Sequence, residues 1–146
     1  MRYVVQLMRG VEYCHAHGVV HRDIKPANVL YDGRRWRLCD FGFAIKCGER
    51  RLKKMVGTPA YIAPELVTRS AYTGPSVDMW AFGCMVDELM HGRPCFVAPT
   101  MDDLDLRIKN GFNARGQLSM AVWVAQPESL QENEVGVVLE ADEDDE

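Results

Sequence analysis

The run from Ser76 to His91 constrains this chain more than any other stretch. Val77, Met79, Trp80, Ala81, Phe82, Met85, Val86, Leu89 and Met90 put apolar side chains on nearly every face of a helix, and a helix apolar all round is a buried one. The rest of the chain must therefore wrap it. At 146 residues with 47% hydrophobic content, the polypeptide can bury one sizeable core and not two full ones. Gly74-Pro75 precedes the run, and Gly92 and Pro94 end it. Asp78 lies inside it, and a carboxylate in such a helix needs hydrogen-bond donors.

A second stretch carries the chemistry. His21-Arg22-Asp23-Ile24-Lys25-Pro26-Ala27-Asn28 is followed, twelve residues after Asn28, by Asp40-Phe41-Gly42. In order these supply a carboxylate, a lysine, an amide and a second carboxylate opening a glycine-ended turn. Hard Mg²⁺ takes oxygen ligands, and lysine acts as a point charge towards phosphate. Phosphoryl transfer needs such groups, because catalysis there consists of holding cations around spread negative charge and orienting a hydroxyl. With Ala63-Pro64-Glu65 further on, this order and spacing resemble the catalytic core of the eukaryotic protein kinases.

The resemblance implies that Asp23 accepts or orients the substrate hydroxyl proton and that Lys25 sits against the transferred phosphate. Asn28 would bind a second Mg²⁺, and Asp40 the Mg²⁺ that bridges the ATP phosphates. Leu30 would lie beneath the adenine ring, and core packing, the plain reading of a strand leucine, is compatible with that role. His21 and Phe41 would stack, and Asp78 would bond backbone amides of the catalytic loop as a scaffold residue. Gly57-Thr58-Pro59-Ala60-Tyr61-Ile62-Ala63-Pro64-Glu65 resembles the serine/threonine form, in which Thr58 bonds the catalytic aspartate and lysine. Lys25 points the same way. Arg22 normally receives a phosphate from the activation loop, yet residues 46–56 contain no Ser, Thr or Tyr. Glu49 could serve weakly as a substitute anion, the plain alternative being that this cationic loop is simply solvated.

Around these motifs, Val4, Leu7, Met8, Val11 and Cys14 follow helical spacing, with Gly18 as the cap. Cys14, His15 and His17 could suggest a metal site, but the set lacks a fourth ligand. Val29-Leu30-Tyr31 and Trp36-Arg37-Leu38-Cys39 read as a hairpin turning at Asp32-Gly33, with Val19-Val20 as a further short strand. Thr100 caps a short helix with Asp102 and Asp103 in its first turn, Leu104 and Ile108 inside and Gly111 at its end. The five cysteines are odd in number and lack metal-ligand spacing, which reads as free thiols in a reducing compartment. No apolar run reaches the ~18 residues of a membrane span. The expected location is intracellular, cytoplasm or nucleus.

The charge is divided along the chain. All 17 Lys and Arg stand before residue 128 against 12 of the 21 acids, whereas 128–146 hold nine acids and no base. The expected fold is thus mainly α with a small β-hairpin, like the C-terminal lobe of a protein kinase truncated at both ends, within a kinase fold that is α+β when complete. Residues 1–112 form the partial kinase domain, and 113–146 a non-kinase acidic tail that is largely disordered. The Gly-rich loop and strand lysine of the other lobe do not occur in the sequence, and neither does the arginine that pairs with the position of Glu65. A Glu65 buried without that partner would be costly.

Two functions follow. The first is a serine/threonine kinase moving the γ-phosphate of ATP to protein hydroxyls, inactive as this chain alone, with ATP, Mg²⁺ and a Ser/Thr protein as its partners. The second is a non-catalytic module that binds kinase partners or substrates. Neither implies nucleic acid or membrane.

Overall fold

The computed structural model describes residues 2–111. The acidic tail of the sequence reading lies outside them.

The apolar run forms the longest helix, α3 (Gly74–His91), and three clusters of buried side chains meet on its different faces. Phe82, Met85 and Val86 face Leu7 and Val11 of α1 (Arg2–Ala16), together with Ile24 and Leu38. Val77 faces Val20, Ile62, Ala63, Leu66 and Tyr72. Cys84 faces Cys95, Phe96, Leu104 and Ile108, the last two on α4 (Met101–Asn110). Fully burying one side chain the size of Phe82 stabilises by about 1.5–3 kcal/mol, so the buried faces of α3 contribute substantially to the stability of the fold. The expectation of burial on every face fails only in the last turn, where Leu89 and Met90 are 42% and 44% exposed.

Among the described residues the β-structure is three separate two-stranded antiparallel ladders. β2 (Val29–Tyr31) and β3 (Trp36–Leu38) make the expected hairpin, with Tyr31 opposite Trp36. Its loop runs over residues 32–35, longer than Asp32-Gly33 alone. The Asp32 carboxylate stabilises it by accepting the N–H of Arg34 at 2.9 Å and of Arg35 at 2.7 Å. These bonds, with the Arg37 guanidinium at 2.6 Å, hold its carboxyl well below the usual range. β1 (Val19–Val20) pairs with β4 (Ile45–Lys46), and β5 (Arg51–Leu52) with β6 (Tyr72–Thr73). The segment between the two motifs and α3 is therefore tied to the body at two places. A four-residue helix, α2 (Pro64–Val67), carries Glu65.

α3 begins where Val20 crosses beneath it. A Cβ on Gly74 would stand 2.1 Å from Val20 Cγ2, an overlap that must be relieved by moving β1. Overpacking of this kind costs typically about 1–3 kcal/mol. Gly74→Ala should lower the thermal midpoint by several degrees, read by circular dichroism, and an unchanged midpoint would contradict the packing described here.

Candidate active site

A short 3₁₀ turn (Pro26–Asn28) leads directly into β2, and β3 ends two residues before Asp40. The hairpin thus delivers Asn28 and Asp40 from neighbouring strand ends, and Cys39 N–H donates to Asn28 O at 2.9 Å to continue the ladder. That bond fixes the register of the two candidate ligands.

Asp23 is buried at 7% exposure and stands at the centre of a polar cluster. Thr58 Oγ1 donates to its Oδ1 at 2.7 Å while accepting from Lys25 Nζ at 2.8 Å. Lys25 Nζ also lies 3.3 Å from Asp23 Oδ2. Asn28 Nδ2 donates to Asp23 O at 2.8 Å and to Asp23 Oδ2 at 3.2 Å. Because both partners are acceptors, they fix which end of the amide is nitrogen, and the Asn28 oxygen is used by neither bond. A carboxylate has about four acceptor sites. Thr58, Lys25 and Asn28 occupy three, which leaves room for one more donor.

The loop bearing Asp23 is held from below. Asp78, fully buried in α3, accepts the backbone N–H of His21 at 2.9 Å and of Arg22 at 2.8 Å, and His15 Nε2 lies 2.8 Å from its Oδ2. This meets the demand for donors made by a carboxylate inside an apolar helix. Arg22 carries a left-handed backbone, φ 66°, a conformation costing an ordinary residue roughly 1–2 kcal/mol. The Asp78 bond to its N–H stabilises that turn. His21 Nε2 is 3.0 Å from Cys39 O, its Nδ1 accepts the Asp23 N–H at 3.2 Å, and its ring meets Phe41 edge-on at 4.7 Å between centroids. Gly57 closes the site from the other side. Its φ is 120°, and a Cβ there would come within 2.9 Å of Arg22 O, so only glycine lets Thr58 approach Asp23 by this route.

The structure also gives partners to residues around this group. His15 engages Asp78 instead of any metal cluster, and His17 Nδ1 turns to Tyr13 O at 2.8 Å. Arg22 Nε donates to Phe43 O at 2.7 Å, so a backbone carbonyl takes the place proposed for Glu49. Glu65 is half-buried and accepts the Ser76 hydroxyl at 3.1 Å, so it is not the orphaned buried charge foreseen. Leu30 is 57% exposed on β2, which removes the core-packing reading. Tyr61 donates to Glu88 of α3, and burial together with that bond pushes its phenol well above the ordinary range. None of the five cysteines is in a disulfide, as their number and spacing led one to expect.

These distances bring Asp23, Lys25, Asn28 and Thr58 into one hydrogen-bonded group, with Asp40 exposed at the end of the hairpin. Comparison with known sequences names the group's setting, since the family model described as the protein kinase domain matches residues 1–136. The chain belongs to the protein kinase family. This kinase chain is 40% identical over 107 residues to cyclin-dependent kinase-like 2 of Rattus norvegicus, an alignment covering 71% of this chain and 21% of that protein. It is 45% identical over 95 residues to serine/threonine-protein kinase SMU1 of Mycosarcoma maydis, covering 63% of this chain and 13% of the other. With CBL-interacting protein kinase 4 of Oryza sativa subsp. japonica the figures are 38% over 131 residues, 86% and 28%. The kinase chain thus spans between about an eighth and somewhat over a quarter of these relatives' lengths.

The kinase donor set suits a hard ion. Among the described residues no three His, Cys, Asp or Glu side chains cluster for a metal. An ion at Asn28 and Asp40 would take one or two protein oxygens and complete its shell with phosphate and water, the usual arrangement for Mg²⁺.

Proposed function

We propose that this chain is the C-terminal-lobe part of a protein serine/threonine kinase that transfers the γ-phosphate of ATP to hydroxyls of protein substrates. The observation that carries this reading is the hydrogen-bonded group of Asp23, Lys25, Asn28 and Thr58, built at the end of a hairpin that also presents Asp40. Asp23 uses its remaining acceptor site to orient the substrate hydroxyl and take up its proton. Lys25, already beside that carboxylate, places a positive charge against the phosphoryl group as it moves. Thr58 fixes the distance between the two. Asn28 Oδ1 and the Asp40 carboxylate would hold Mg²⁺, which when bound neutralises charge on the phosphate oxygens.

The exposed face of Leu30 is the floor on which adenine would rest. Affinity normally needs contact on both sides of the base, so the chain alone should bind Mg-ATP weakly. Titration of labelled ATP into the 146-residue protein should give no saturation at micromolar concentration, whereas fusion to the amino-terminal lobe of a related kinase should yield transfer of labelled phosphate to serine or threonine peptides. Tight, adenine-specific binding by the chain alone would refute the two-sided site, and no transfer by the fusion would refute the catalytic reading. In that case the non-catalytic module gains, supported by the apolar surface that Leu30, Tyr31 and Trp36 expose along the hairpin.

A further inference from the structure

We propose that the cationic strip ahead of Thr58 selects substrate peptides carrying Asp or Glu near the acceptor hydroxyl. The inference rests on the kinase reading and adds its substrate class. Lys46, Arg50, Arg51, Lys53 and Lys54 fall within nine residues, with Glu49 as the only acid among them. All five are exposed, and none belongs to an ion pair among the described residues. The Arg50 and Arg51 guanidinium groups bond to backbone carbonyls of Lys46, Cys47 and Ala71, which positions them without cancelling their charge.

The strip is anchored as well as charged. Arg51 and Leu52 pair with Thr73 and Tyr72, and the Tyr72 hydroxyl donates to Lys54 O at 2.7 Å. A ligand therefore meets cations on an ordered backbone and loses less to ordering them. No phosphate on residues 46–56 can use these charges, because none of those residues bears a hydroxyl. Four residues beyond Lys54 stands Thr58, bonded to Asp23. Four extended residues span at most about 14 Å, so a peptide with its hydroxyl at Asp23 reaches Lys53 and Lys54 with side chains roughly four positions away. Carboxylates there complement the strip, and basic side chains are repelled by it, which gives discrimination from both directions.

The test uses three fluorescent serine peptides, with acidic, neutral or basic flanks, binding the 146-residue chain at low salt, and the same peptides as acceptors in the lobe fusion. The acidic peptide should bind most tightly, and its advantage should shrink as salt rises. The double variant Lys53→Glu, Lys54→Glu should lose about tenfold in affinity for the acidic peptide, as expected for two exposed charge contacts, and gain for the basic one. Both positions are exposed, so its thermal midpoint should match the wild type. Equal binding of the three peptides, or an acidic preference surviving the charge reversal, would overturn the inference. If acidic peptides bind only after residues 128–146 are removed, the occupant is the chain's own acidic segment and the substrate assignment falls. Acidic preference in binding with no transfer by the fusion would leave the surface standing and refute the kinase reading instead.

Discussion

Asp23→Ala in the lobe fusion should reduce turnover by about 10²–10⁴-fold, the range for a positioned proton acceptor, and leave the KM for Mg-ATP nearly unchanged. The split follows from the geometry. Asp23 contacts Thr58, Lys25 and Asn28, and the interaction it would make with a hydroxyl strengthens only as the proton moves. Removing the carboxylate also releases the Thr58 hydroxyl and the Lys25 ammonium from a shared acceptor, so a purely structural loss must be separated from a chemical one. Asp23→Asn provides that separation. Its amide oxygen can still accept from Thr58 while its capacity to take a proton is gone. Radiolabelled transfer by both variants should be depressed to a similar degree, with thermal midpoints closer to wild type for Asn than for Ala. Turnover equal to wild type in Asp23→Asn would remove Asp23 from the proton transfer.

What could be read from the sequence was what repeats locally. The 3.6-residue spacing of Leu7, Val11 and Cys14, the Thr100 cap and the all-apolar run of α3 are local patterns, so α1, α3 and α4 were legible, whereas the four-residue α2 is too short to carry one. The site motifs were legible for a similar reason, since Asp23, Lys25 and Asn28 lie within six residues and the hairpin between Asn28 and Asp40 is short. Contacts across the chain were legible only where the kinase resemblance carried them, as for Asp78 with the loop amides and Thr58 with Asp23 and Lys25. His15 and Asp78 are 63 positions apart, and nothing in the spacing of either announces a bond. The pairing of β5 with β6 joins two-residue strands too short to carry an alternating pattern. Arg22 was expected to seek an anion because, in the kinases this chain resembles, the arginine before the catalytic aspartate receives a loop phosphate, and in the structure its Nε donates to the Phe43 carbonyl. Leu30 was ambiguous because a lone strand leucine suits core and ligand face alike, and burial alone separates those two.

Asp40→Ala should fail in a different way from Asp23→Ala. Asp40 is exposed, and within the turn it opens its Oδ1 accepts the Gly42 N–H at 3.2 Å, so little of its carboxylate is committed to structure. If that carboxylate is a Mg²⁺ ligand, its loss should cost about a thousandfold in kcat/KM, the size expected when several kcal/mol of charge stabilisation disappears. Nucleotide affinity measured with Mg²⁺ should fall with it, and affinity measured in EDTA should not. A conformational effect has to be excluded, because Asp40 adopts a left-handed backbone, φ 59°, which alanine accepts less readily than aspartate or asparagine. Asp40→Asn keeps the tolerated backbone and one oxygen while removing the charge. Its thermal midpoint should stay near that of wild type, and its requirement for Mg²⁺ should rise, with activity partly recovered at high Mg²⁺ concentration. Alanine should not recover, having no oxygen to offer. If both variants bind nucleotide with the same Mg²⁺ dependence as the wild type, the ion is held elsewhere, and Asp40 serves only to shape the turn into Gly42.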